Sequence, residues 1–211
     1  LDLATWTFEA SEGVTWAGVQ GEGSSNRAQM DADGVLHLLG TETVAANVRV
    51  IGRGEPEVDP EALVGATIQA QEIHVSRQHF EATGDVRLEA ETGSGHLEVL
   101  ADSAHLNLAR PEPEPGHSGE PRGPSPFALQ ASGVRRATLE GPDSKTVVGA
   151  QHLSVLGVLA DGAGGEKLAT SDLVATGDVW VERGGALPME ASGDTLVMEG
   201  GGRGRLVAAR G

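Results

Sequence analysis

The sequence predicts an all-β chain built from repeated short strands, and three observations carry that prediction. Apolar residues alternate with polar ones at period two through most of the chain, the pattern of strands with one buried and one solvated face. Glycine is abundant, at 31 of 211 residues, and clusters with Asp, Ser and Thr, which suits many turns rather than a few long helices. The phrase ATGDV stands at Ala82–Val86 and again at Ala175–Val179, each time leading into an alternating strand.

In chain order, TWTFEASEGVTWAG holds Trp6 and Trp16 near the start, where an end rung of a strand stack needs capping. GVLHLLGTETVAANVRV (Gly34–Val50) loosely parallels GVRRATLEGPDSKTVVGAQHLSV (Gly133–Val155) and reads as a partial repeat. A Pro- and Gly-containing break follows at Gly52–Glu61. The first full copy runs AQEIHV (Ala70–Val75), ATGDVRLEAE, then LEVLADSAHLNL (Leu97–Leu108). In it Ile73 and Val75, then Val86, Leu88 and Ala90, then Leu97, Val99, Ala101, Leu106 and Leu108 take the apolar phase.

RPEPEPGHSGEPRGPSP (Arg110–Pro126) offers no apolar face and is dense in proline, so it reads as an exposed loop or linker. The chain thereby divides into a repeat half over 1–109, the linker over 110–126, and a second half over 127–211 that continues the same stack. The second copy runs AQHLSV (Ala150–Val155), a Gly-rich break at Ala160–Lys167, ATGDVWVERG, then LPMEASGDTLVM (Leu187–Met198). Its apolar phase is Leu153 and Val155, Val179 and Val181, then Met189, Leu196 and Met198. Matching the two copies pairs Leu97 with Leu187, Val99 with Met189, Ala101 with Ala191, Leu106 with Leu196 and Leu108 with Met198. Trp180 falls on the phase opposite to Val179 and Val181, an outer contact or a rung covered on both faces. ATGDV itself reads as architecture: Gly84 and Gly177 permit a tight turn or bulge, and Asp85 and Asp178 can bond nearby backbone.

Composition narrows the function. Aromatics are 3% of the chain, so Leu, Val and Ala do the packing. A net charge of −16 repels a phosphate backbone, which excludes nucleic acid as a partner. Cysteine is absent, so no disulfide or thiolate metal site is available. No apolar run approaches the ~18 residues of a membrane-spanning helix, and the first residue is Leu1 with no basic-then-apolar leader, so any signal or anchor is expected outside this stretch.

Catalytic signatures are missing as well: there is no G-x-S-x-G elbow, Walker lysine loop, H-E-x-x-H or cysteine nucleophile, and the carboxylates lie on the polar phase or in loops. The chain is therefore read as a non-enzyme with no cofactor. The two GD phrases are too far apart for a calcium β-roll. Of the histidines, His74, His79, His96 and His105 cluster in sequence, but His74 and His105 sit on the polar phase and read as solvent-facing, so no metal site is expected.

The two A-x-G-D-V strands, each followed by an A-D-S-A-H-L or A-S-G-D-T-L phrase, resemble the OstA-like family of lipopolysaccharide-transport proteins over about Ile68–Leu108 and Val147–Arg210. The resemblance implies an open β-jellyroll, two antiparallel sheets folded into a taco-like groove that carries acyl chains in the periplasm. It further implies end-to-end stacking with other such modules, or with copies of itself, through edge strands. The groove would be lined by Ile73, Val75, Val86, Leu88, Leu97, Val99, Leu106, Leu108, Leu153, Val155, Val179, Val181, Met189, Leu196 and Met198. The competing reading is a structural β-solenoid or envelope scaffold whose interior is filled by its own side chains.

Overall fold

The computed structural model describes residues 8–18, 21–50, 66–76, 79–92, 95–108, 125–141, 144–162, 165–185, 188–199 and 203–207. These form thirteen strands and, among the described residues, no helix. They are β1 (Phe8–Gly18), β2 (Gly21–Met30), β3 (Leu36–Leu39), β4 (Ala46–Val50), β5 (Ala66–Ala70), β6 (Glu72–Val75) and β7 (His79–Thr92). The rest are β8 (Gly95–Leu108), β9 (Ser125–Glu140), β10 (Ser144–Gly162), β11 (Gly165–Gly185), β12 (Met189–Glu199) and β13 (Arg203–Val207). All belong to one sheet, and among the described residues every pairing is antiparallel except a parallel bridge between Leu168 of β11 and Thr92 of β7.

Sheet order explains the short strands. β3 and β4 lie end to end along β2, pairing its Arg27–Met30 and Gly21–Ser24 stretches, and β6 and β5 do the same along β7. With β3 paired to β6 and β4 to β5, the strands β2, β3, β6, β7, β5 and β4 close a six-strand circuit. From β7 the sheet continues through β8, β9, β10, β11 and β12 to β13.

The break between β5 and β6 at Gln71 is one point on a line that crosses the whole sheet. In β1 it is the bulge between Ser11 and Val14, with Glu12 and Gly13 at positive φ. In β7 and β11 it is the ATGDV phrase: pairing slips between Thr83 and Val86 and between Thr176 and Val179. Gly84 and Gly177 both have φ 77, and Asp85 and Asp178 both have φ 49. The register carries the irregularity from β7 into β8 and β9, where Gly133 has φ 62, and on through β10. A bulge bends its strand and increases local twist, so a line of bulges is a crease. The repeated phrase is therefore architecture, as its residue types indicated.

The crease divides each long strand into two parts and the sheet into two wings. Inner residues on both sides are sealed from water: Ile73, Phe80, Ala82, Leu129, Leu153 and Val155 on one wing, Ile68, Val86, Leu88, Leu97, Val99 and Val179 on the other. A single layer cannot bury its own face, so the wings cover each other. The Leu168–Thr92 bridge joins the end of one wing to the opposite end of the other. Outer positions of the same strands, such as Arg87, Glu89, Glu81 and Gln130, are half-buried or exposed, which is the alternation the sequence showed.

Four expectations about the repeats and the breaks between them are corrected. Ser125 and Pro126 open β9 and pair with β10, so the segment 110–126 is not wholly loop; 109–124 lie outside the described residues. The Gly-rich break is shorter than expected, because β10 reaches Gly162 and β11 starts at Gly165, making the second copy's connection an extension of a hairpin. The proposed parallel between Gly34–Val50 and Gly133–Val155 fails in topology, since β9 and β10 pair along their length while β3 and β4 follow each other along β2. The break at Gly52–Glu61 lies outside the described residues.

The fourth correction concerns the third segment of each repeat. Thr83 pairs with Ser103 and Val86 with Ala101, whereas Thr176 pairs with Thr195 and Val179 with Gly193. Ala101 thus corresponds to Gly193 and Leu106 to Met198, a slip of two residues from the alignment by sequence. A slip of two keeps every side chain on its face, so alternation alone is blind to it.

Candidate functional site

The candidate site is the inner face that the two wings share. Of the fifteen residues expected there, Ile73, Val86, Leu88, Leu97, Val99, Leu153, Val155, Val179, Val181 and Leu196 are buried at 4% exposure or less, and Val75 and Leu106 are nearly so. Met198 is partly buried against the same core. Met189 is a correction: it is 49% exposed. It pairs with Arg183, beyond Val181, the last buried residue of β11, so no facing wing covers it. Leu108 pairs with Phe127 through its backbone, and its side chain lies outside the described residues.

The interior contains more than the repeat alignment found. Ala28, Leu36, Leu38, Ala46 and Val48 bring β2, β3 and β4 into it, and Phe80, Phe127, Leu129 and Leu173 complete rows across β7, β9 and β11. Phe80 and Phe127 are its two buried rings among the described residues. Period-two phase would have found most of these, but β3 and β4 carry no ATGDV phrase to flag them. The buried polar residues are Ser25, Thr138 and Thr146, all neutral hydroxyls, so the described interior holds no charge.

Tryptophans serve packing at two glycines. Trp16 of β1 leans on the core opposite its cross-strand partner Gly23, with a buried indole N–H that has no hydrogen-bond partner among the described residues. Trp180 lies on the outer face, 42% exposed, across its partner Gly149. Each ring covers backbone that glycine leaves bare, and a Cβ at either glycine would collide with it. Trp6 lies outside the described residues.

The outer face is polar. Glu98, with a side chain 16% exposed, receives Arg87 at 3.0 Å and Arg136 at 2.9 Å from the neighbouring strands, and Arg135 reaches Asp85 at the crease at 3.0 Å. A shallow hollow of about 680 Å³ over β1, β2, β4 and β5 is lined by groups including Glu22, Ser24, Asn47, Arg49 and Thr67. The histidines sort differently from their order in sequence: His74 meets His37, its partner across β3 and β6, while His79 meets His105.

Among the described residues, fold and interior together define an all-β, single-sheet architecture with an uncharged apolar interior between two wings. Comparison of the chain with protein-family models, with curated proteins and with solved structures finds no match.

Proposed function

We propose that this chain is a non-catalytic lipid-binding module, an open β-jellyroll whose wings hold acyl chains along their shared inner face. One observation carries the reading: rows of Val, Leu, Ile and Ala run without a charge across the strands from β2 to β12. An acyl chain lying along such rows gains ~0.8 kcal/mol per buried methylene and needs no directional contact. Entry parts the wings, whose far ends are joined, among the described residues, by the Leu168–Thr92 backbone bridge. Apolar contacts between the wings are then replaced by contacts with the chain.

The resemblance of its repeated phrases to the OstA-like family supports reading the module as a periplasmic one of a Gram-negative envelope, conducting lipid, lipopolysaccharide included, toward the outer membrane. The terminal strands support end-to-end assembly. Among the described pairings β1 bonds only to β2 and β13 only to β12, leaving two edges to which a neighbouring module or a second copy adds strands.

A structural scaffold is the second reading, and it has its own observation: inner side chains at 0–5% exposure pack against each other as they would in a self-filled core. Native mass spectrometry of the chain purified from an envelope-forming bacterium separates the two. The lipid module carries co-purified species at lipid mass increments that delipidation removes. A bare chain at every condition, with envelope lipids offered in excess, contradicts the lipid reading and leaves the scaffold.

A further inference from the structure

The outer face carries a second constellation, unrelated to the interior. His37 and His74 are directly opposite across β3 and β6, with ring centroids 4.3 Å apart in an edge-to-face arrangement. Glu72 shares the outer face with His74 two residues along β6, and its Oε1 lies 2.8 Å from His74 Nε2. From these three residues one donor atom each can be chosen so that all lie within 4.8 Å of one another. Asp31, at the turn after β2, places Oδ2 3.2 Å from His37 Nε2. Its other oxygen accepts the backbone N–H groups of Asp33 at 3.0 Å and Val35 at 2.9 Å, so the carboxylate is fixed by the turn before it meets the imidazole.

We propose that His37, Glu72 and His74 bind one divalent transition-metal ion of the zinc type, with Asp31 holding the His37 ring in its binding orientation. The donor chemistry fits: two imidazoles and a carboxylate suit zinc, whose Zn–N and Zn–O bonds of about 2.0–2.2 Å place tetrahedral donors roughly 3.3–3.5 Å apart. Register holds all three ligands on neighbouring strands, so side-chain rotation is the movement that would bring the donors to that spacing. A carboxylate bonded to a ligating imidazole is the usual device for fixing ring orientation and raising ligand basicity. All three ligands are half-buried, so an ion reaches them from solvent. The fourth position stays open to water.

The sequence hides this set because His37 lies far from His74 in the chain and joins it only through the β3–β6 register. The ion would tie together two of the shortest strands, β3 and β6, which are four residues each.

Isothermal titration calorimetry with zinc chloride on the untagged, chelator-treated chain tests the site, with cobalt(II) absorption reporting tetrahedral coordination. The expected result is one ion per chain, abolished by His37→Ala and by His74→Ala, unchanged by His79→Ala and His152→Ala. Asp31→Asn should weaken binding by about 10–100-fold. Far-UV circular dichroism checks each variant's fold, and Glu72→Gln, which keeps side-chain size, decides the matter if a histidine variant misfolds. Unchanged zinc binding in the His37, His74 and Glu72 variants, loss of binding in His79→Ala to the same degree, or no binding by the wild-type chain overturns the proposal.

Discussion

Gln151 Nε2 donates a 2.7 Å hydrogen bond to Oδ2 of Asp178, the residue that follows Gly177 in the crease of β11. The same glutamine packs on that glycine, and Gln71 packs on Gly84 with the same spacing: a Cβ at either glycine would sit 2.7 Å from the glutamine Oε1 and 2.9 Å from its Cβ. Two distant copies of one phrase thus build one bulge, with a glutamine side chain closing it in each case.

Substituting these glycines tests the crease. Gly84→Ala and Gly177→Ala each combine a left-handed backbone, costing about 1–2 kcal/mol for a residue with Cβ, with displacement of a glutamine. Gly34→Ala has φ 78 and nothing within 4 Å, so it isolates the backbone part. Urea denaturation should rank Gly84→Ala and Gly177→Ala alike and both above Gly34→Ala. A cost at Gly34 equal to theirs would show that the glutamines do not constrain the bulge.

Trp16 supplies a second prediction. Its buried indole N–H has no partner among the described residues, so within them its desolvation is not offset by a hydrogen bond. Trp16→Phe removes that donor and keeps most of the ring packing, so stability should change by less than about 1 kcal/mol in either direction, while Trp16→Ala should cost about 3 kcal/mol or more. Equal losses for both variants in thermal denaturation would count against the geometry of β1.

Interior and outer positions on one strand should differ sharply. Leu88→Ala in β7 creates a cavity and should cost about 2–5 kcal/mol, whereas Arg87→Ala removes only an exposed partner of Glu89 and Glu98 and should cost no more than about 1 kcal/mol. Chemical denaturation of the two single variants measures the difference directly. Similar costs would mean that the two faces of β7 are not distinguished as described.

The turn after β2 predicts a pH response. The Asp31 carboxyl lies below its ordinary value of 3.8, chiefly because it accepts the Val35 backbone N–H and also bonds His37. A carboxyl more acidic in the folded chain favours folding fully above pH 3.8, and the contribution is lost as pH falls through the folded value, because the unfolded chain takes up the proton first. NMR titration of the Asp31 side chain should give a midpoint below 3.8 that rises in His37→Ala. A midpoint at or above 3.8 in the wild-type chain would remove the turn hydrogen bonds from the account.

Much of this was legible in the sequence, because a period of two states which side chains face inward. Val86, Leu88, Val99, Leu153 and Val179 were placed on the buried face by alternation alone, and the glycines of ATGDV by their conformational freedom. What stayed hidden depends on register. The two-residue slip in the third repeat segment preserves parity, so Leu106 looked equivalent to Leu196 when it corresponds to Met198. Met189 has the right phase but lies past the covered part of the sheet, and phase says nothing about where a facing wing ends. The meeting of His37 with His74 and the covering of Gly149 by Trp180 are products of strand pairing between segments that share no local pattern.

Site-specific photocrosslinking along β7 is the most direct test of the lipid reading. A photoreactive residue at Leu88 stands on the buried inner face of β7, and one at Arg87, its chain neighbour, faces outward. In cells with an intact envelope, irradiation should give a lipid adduct from position 88 and none from position 87. Adducts at neither position, or equal adducts at both, would contradict an interior that holds acyl chains.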